Sequence, residues 1–193
     1  MNFNEAEFVI VDVETTGLSP VLGHRVIEIA ALRVRNLKPA EQFYSLINPG
    51  REIPFGAFYV NGISSEMLKD APGFEEICSK FFEFLGNDII VGHNIKFDLK
   101  FLYHEAMWAG FSFKKESPAL CTVKMARGLL PELRRYPLWY VAHSLGFEIS
   151  QLHRAMADVE LTFAVFKKLL AVADRRDIWD LTTLMSLFGN KKA

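Results

Sequence analysis

Apolar patterning begins with Phe8, Val9, Ile10, Val11 and Val13, a β-branched run without a polar face that predicts a strand over about 8 to 14, covered on both sides. Further strands are predicted over about 26 to 34 and 41 to 47, and the Pro- and Gly-punctuated stretch 48 to 73 reads as irregular. Helical spacing takes over at Phe74. It predicts helices over about 74 to 85, 95 to 109 (behind the candidate N-cap Asn94), 122 to 130, 137 to 145, 155 to 173 and 175 to 188, with a short buried strand at 88 to 91. Pro137 and Gly146 bracket the fourth helix. The mixture is an α/β pattern, and no internal repeat, low-complexity tract or long linker marks a second domain.

Acids interrupt this pattern where apolar residues are expected. Asp12 and Glu14 lie two apart at the end of the first strand, so they share a face, and the Thr-Thr-Gly that follows ends the strand. Holding two carboxylates together is costly unless a proton, a basic partner or a metal ion compensates them. Asp158 stands in a stripe with Thr162, Val165, Phe166 and Leu169, a position that calls for an apolar side chain. Asp98 falls in the first turns of its helix beside Ile95, Phe101 and Leu102. His153 precedes Asp158 by five residues, about 140° apart on one continuous helix, so the two can serve one site only if His153 lies before the helix. Singly, each has a plain reading: Glu14 as a turn acid, Asp98 as a first-turn charge favoured by the helix dipole, Asp158 as a surface acid and His153 as a solvated loop residue.

The 193 residues, 50% hydrophobic and 23% charged, fit one compact domain with a substantial core. The polar, acidic start MNFNEAEF and the lack of an apolar run of membrane-spanning length give a cytoplasmic protein as the expectation. Cys78 and Cys121 have no paired-ligand spacing and read as core thiols, which argues against a disulfide framework or a zinc site. A net charge of −1 means that a nucleic-acid partner would have to be held by local charge.

The three blocks VDVETTG, GHNIKFD and HRAMAD, in this order and spacing, resemble the DEDD exonuclease superfamily, in the branch with a histidine five residues before the last aspartate. The resemblance runs over roughly residues 8 to 173, takes in NGISSEMLKDAP and ARGLLP, and is strongest to the proofreading subunits of bacterial DNA polymerase III and their relatives. It implies a ribonuclease-H-like mixed sheet flanked by helices, with an exonuclease domain at 1-173 and a C-terminal helix or tail at 174-193. It also implies Asp12, Glu14, Asp98 and Asp158 as ligands for two divalent ions, Mg²⁺ or Mn²⁺, with His153 as general base. Thr16, Gly17, Leu18, Asn94 and Phe97 would bind the terminal nucleotide, Leu18 as a wedge against its base. Asn61 and Cys121 depart from the pattern, standing where many relatives have His and Asp.

Such a site would be a two-metal 3′→5′ exonuclease that releases nucleoside 5′-monophosphates, since hard cations prefer carboxylates and two of them stabilise both the attacking and the leaving oxygen. DNA in proofreading or repair is the expected substrate; an exoribonuclease and a non-catalytic nucleic-acid-binding module on the same fold are the alternatives. DVETT also loosely matches the DxDxT motif of haloacid-dehalogenase-type phosphatases, but that chemistry has no use for the other two blocks. Near the end, LMSLF resembles the short motif by which replication and repair proteins engage a sliding clamp, with Met185, Leu187 and Phe188 as anchors and Leu184 where the usual Gln would stand. The competing reading is that Leu181, Leu184, Met185 and Phe188, at helical spacing, pack the last helix onto the domain.

Overall fold

A computed structural model describes residues 3–111, 118–149 and 153–190, except for the side chain of Asn4. Its centre is a five-stranded sheet ordered β3-β2-β1-β4-β5. β1 (Phe8–Thr15), β2 (Val26–Arg35) and β3 (Lys38–Leu46) form an antiparallel meander, and β4 (Ile89–Gly92) and β5 (Ala119–Cys121) run parallel to β1. The remaining elements are α1 (Phe55–Asn61), α2 (Phe74–Leu85), α3 (Lys96–Trp108), α4 (Thr122–Leu129), α5 (Leu138–Ser144), α6 (Ala155–Asp174) and α7 (Leu181–Phe188). This is the mixed sheet flanked by helices that the resemblance implies.

Strand alternation divides the core into two layers. Phe8 and Ile10 of β1, with Ala30, Leu32 and Val34 of β2, face the layer built on α4, α5, α6 and α7, where Phe8 meets the edge of Phe166 at 5.1 Å between ring centres. Val9, Val11 and Val13 face the layer built on α2 and α3. Continuing the even-numbered face of β1 gives Asp12 and Glu14, and continuing that of β2 gives Glu28. The apolar register that builds the core therefore aims these acids toward the start of α6.

Four details differ from the sequence reading. Within 48 to 73 the chain forms α1, begun by Pro54 and stopped by Gly62 at φ 68; its Phe55, Phe58, Tyr59 and Val60 are exposed, so it lacks the apolar stripe that would announce it. β5 is three residues long, too short for a visible period. Asn94 is not an N-cap: it takes φ 68, Ile95 occupies the cap position, and no side chain caps α3. The last helix starts at Leu181 rather than near 175, because Asp177 turns the chain at φ 59 and Asp180 caps the new helix by accepting from Thr183 N at 2.9 Å.

The clamp-motif reading is corrected by the packing of α7. Leu184 is 0% exposed and Phe188 7%, both in the core with Met185 packed against them, and only Leu187 of the proposed anchors is exposed. Beyond the helix, Gly189 bridges to Leu120, and Asn190 takes both backbone groups of Ala119. Core burial of this kind predicts that Leu184→Ala costs about 2–5 kcal/mol of folding stability and Leu187→Ala less than about 0.5 kcal/mol, read as shifts in the denaturant midpoint. Equal costs would contradict the packing described.

Candidate active site at the end of β1

β1 pairs with β4 only over Phe8 to Ile10, after which β4 ends and the chain swings away into α3. The backbone N–H of Val13 is taken instead by Asp98 Oδ1, at 3.2 Å. Gly92 permits this crossing, since a Cβ there would press on Val11 O and overlap Ile95. Asp98, 3% exposed, thus meets the end of β1 from the α3 side, while Asp158, 7% exposed, meets it from α6. Asp98, Asp158 and Glu14 all act electrostatically on Asp12.

Glu14, His153 and Asp158 place one donor atom each within 4.8 Å of one another. His153 stands outside the helix, as its spacing requires, because α6 begins at Ala155. Its backbone is left-handed, φ 58, and its N–H donates to Asp158 Oδ2 at 2.9 Å. The other oxygen, Asp158 Oδ1, is buried without a hydrogen-bond partner among the described residues. An orphaned carboxylate oxygen in an all-oxygen and imidazole donor set fits a hard divalent cation. Asp12, on the same face of β1 as Glu14, and Asp98, arriving from α3, lie outside that tightest trio.

Burial and mutual repulsion govern the charge state. Burial raises the Glu14 carboxyl to about 8, helped by Asp158 and Glu28 and opposed by a hydrogen bond from Asn61 and by Arg154. Burial likewise lifts Asp98 to about 8, against the hydrogen bond from Val13, and holds Asp12 well above the usual range, with Asp98 and Asp158 adding to the effect. Asp158 is raised as well, chiefly by burial, although the His153 N–H favours its ionised form.

Two supports escaped the sequence reading. Glu28, fully buried and opposite Glu14 across the β1–β2 pair, accepts from Arg154 Nε and NH2 (3.1 and 2.7 Å to one oxygen), from Tyr44 Oη at 2.7 Å and from Ala155 N at 2.8 Å. This bidentate pair, built on the residue after His153, ties the start of α6 to β2. Glu105, 1% exposed, does the same for Arg25 and Val26 N, fastening the start of β2 to α3. Asn61, flagged only as a departure from the family pattern, is buried at the end of α1; its Oδ1 accepts from Ile63 N and its amide is left for Glu14.

The candidate nucleotide-binding residues fall at this same end with different exposures. Leu18 is 85% exposed, Asn94 is exposed, and Phe97 is half-buried with its ring 5.0 Å from Phe101. Gly17 lies against the His24 imidazole, leaving no room for a Cβ. Thr16 differs from the expectation. Its side chain is buried, with Oγ1 accepting from Arg25 N at 3.0 Å and paired with His24 Nδ1 at 3.2 Å, so it braces the turn.

The raised carboxyls make a pH prediction for the cation-free protein. In the unfolded chain these acids ionise near 4, whereas in the fold Glu14 and Asp98 hold their protons to about 8. The folded state then binds more protons over that window, so stability is full below about 4 and is lost as pH rises toward 8. In chelator, the melting temperature should fall between pH 5 and pH 8, Asp98→Asn should flatten the fall, and a divalent cation should reverse it. A wild-type melting temperature that rises over this window would contradict the assignment.

Comparison with known proteins agrees with this geometry. Residues 9–166 match the family described as Exonuclease. DNA polymerase III subunit epsilon of Aquifex aeolicus is 38% identical over 170 residues, covering 88% of this chain and 83% of that protein. The 3′-5′ exonuclease DinG of Bacillus subtilis is 36% identical over 97% of this chain, which spans 22% of that longer protein. Among solved structures, Exonuclease X in complex with 5′ overhanging duplex DNA superposes with a TM-score of 0.75 at 23% identity, covering 93% of this chain and 98% of that one. Exonuclease I of E. coli with a dA16 oligonucleotide gives 0.77 at 21%, covering 88% and 42%. At these identities the structures speak for the fold, and the family match with the epsilon relative carries the assignment: this chain belongs to the exonuclease family.

Proposed function

We propose that the chain is a two-metal-ion 3′→5′ exonuclease that removes nucleoside 5′-monophosphates from DNA 3′ ends in proofreading or repair. The observation that carries this reading is the gathering of four carboxylates and one imidazole at the end of β1, with Asp158 Oδ1 buried and unpaired. Asp12, Glu14, Asp98 and Asp158 are the ligands; bound Mg²⁺ or Mn²⁺ would polarise the scissile phosphate and stabilise charge on the attacking and departing oxygens. A ring nitrogen of His153 takes the proton of the attacking water. The water oxygen bonds to phosphorus as the bond to the upstream 3′ oxygen breaks, and that oxygen takes a proton from solvent water, leaving a 3′-hydroxyl on the shortened strand.

Leu18 supports a preference for frayed ends: an exposed apolar side chain on a turn braced by Thr16 and Arg25 can press against the terminal base, and unstacking costs least at a mismatch or a single-stranded end. Asn94, Phe97 and Gly17 would hold the terminal nucleotide beside it. The choice of DNA, and of a replicative polymerase as partner, is supported by the similarity to DNA polymerase III epsilon subunits. Among the described residues no helix is long and apolar enough to cross a membrane. We place the enzyme in the cytoplasm with its substrate.

The test is a 5′-labelled oligonucleotide with and without Mg²⁺. A ladder that needs the cation is expected, faster on DNA than on RNA of the same sequence; an intact strand in both conditions refutes the proposal. Asp158→Asn or Asp12→Ala should lower the rate by orders of magnitude in a protein that still folds, and near wild-type activity would remove either from the ligand set.

A second measurement isolates His153. Because its backbone is left-handed, Asn is the substitution that keeps the turn. His153→Asn should lower the rate roughly 10² to 10⁴-fold while leaving the stabilisation by divalent cation in place. A near wild-type rate in this variant would exclude His153 as the base.

A further inference from the structure

The loop from α4 into α5 carries charge that the exonuclease site does not use. Residues 127 to 140, RGLLPELRRYPLWY, hold three arginines against one acid, Glu132, in a chain whose net charge is −1. Elsewhere, Arg25, Arg33, Arg35 and Arg154 each pair with a carboxylate, and Arg51, Arg175 and Arg176 donate to backbone carbonyls. Arg127, Arg134 and Arg135 are exposed and have no carboxylate partner among the described residues.

Aromatic faces hold two of them. Arg135 sits 4.7 Å from the Trp139 ring centre and 4.8 Å from that of Tyr140, in the corner made by two rings at 86° to each other, and Arg127 lies 5.6 Å from the Tyr136 ring centre. Stacking on rings orders the guanidiniums while leaving their donors free. Trp139 remains 37% exposed.

The loop is fixed to the catalytic end of the sheet. His93, directly after β4 and next to Asn94, bonds through Nε2 to Tyr136 O at 2.8 Å and through Nδ1 to Thr122 Oγ1 at 2.9 Å. A carbonyl only accepts, so Nε2 carries the proton, and burial lowers the ring's pKa and favours the neutral form. The turn that supplies Asn94, Phe97 and Asp98 is thereby tied to the base of the basic–aromatic loop.

We propose that Arg127, Arg134, Arg135 and Trp139 form a track for the single strand upstream of the 3′ end, the arginines on phosphates and the Trp139 face under a base. The proposal rests on the exonuclease reading above. A nucleic-acid strand is favoured over an acidic protein segment because unpaired guanidiniums alternate with flat aromatic faces and the loop is anchored beside the end pocket. It also accounts for how a chain of net charge −1 engages a polyanion: the attraction is local.

The experiment compares wild type with Arg134→Ala/Arg135→Ala and with Trp139→Ala on a single-stranded 20-mer and a dinucleotide. The KM advantage of the 20-mer over the dinucleotide should shrink tenfold or more in each variant. For the double arginine variant, the slope of log affinity against log salt should become shallower by about 1.4, at about 0.7 per phosphate contact. Fluorescence anisotropy of the labelled 20-mer in chelator reads binding without catalysis and should show the same loss. An undiminished KM advantage with an unchanged salt slope overturns the track, as does an equal fall on both substrates, which would make the loop a support for the catalytic geometry. Wild type that binds the 20-mer but cleaves nothing refutes the exonuclease reading and leaves the track to the anisotropy result; anisotropy curves that coincide for wild type and variants overturn the track on their own.

Discussion

Ionised carboxylates repel one another and resist burial, yet the end of β1 holds Asp12 and Glu14 and brings Asp98 and Asp158 against them. Much of the surrounding structure contends with that repulsion. The register that buries Phe8 and Ile10 places the two strand acids on the α6 side, and the early end of β4 frees Val13 N–H to hold Asp98. Glu28, a further acid behind the site, is neutralised by Arg154, so its charge goes to positioning the His153 segment. Stability is thus traded for a cluster whose charge is best relieved by cations.

This arrangement separates acids with partners from acids without. Glu28 and Glu105 are as buried as Asp98, yet each is matched by an arginine and a backbone N–H. Asp158 keeps one oxygen with no partner among the described residues. A buried ion pair of the first kind fixes geometry; an orphaned oxygen of the second kind marks where a ligand is expected.

The acids that gather at the end of β1 were legible because each broke an apolar pattern: Asp158 in the stripe of Val165 and Leu169, Asp12 after a β-branched run. Glu28 broke VIEIA in the same way, and only its distant partner Arg154 separates it from the proposed ligands, a pairing that no local spacing reveals. α1 was missed because its apolar residues face outward, although Pro54 and Gly62 mark its ends. LMSLF shows the opposite limit: helical spacing and a linear motif can share one pattern, and the burial of Leu184 and Phe188 decides between them. For Thr16 the resemblance implies a contact with the nucleotide, whereas its hydroxyl is held inward by Arg25 N and His24.

The two margins of the sheet have a consequence of their own. At β5, Gly189 bridges to Leu120 and Asn190 occupies the backbone groups of Ala119. At β3, Lys38, Pro39 and Glu41 lie on an exposed strand whose register shifts at Ala40, an extra residue opposite Arg33 and Val34. A free strand edge recruits other strands, and covering, charge, proline and bulges are the devices that prevent it. Self-assembly by edge pairing is thereby suppressed, and an incoming protein would find no ready template for adding a strand; recognition of this molecule has to run through side chains displayed on its helices and turns.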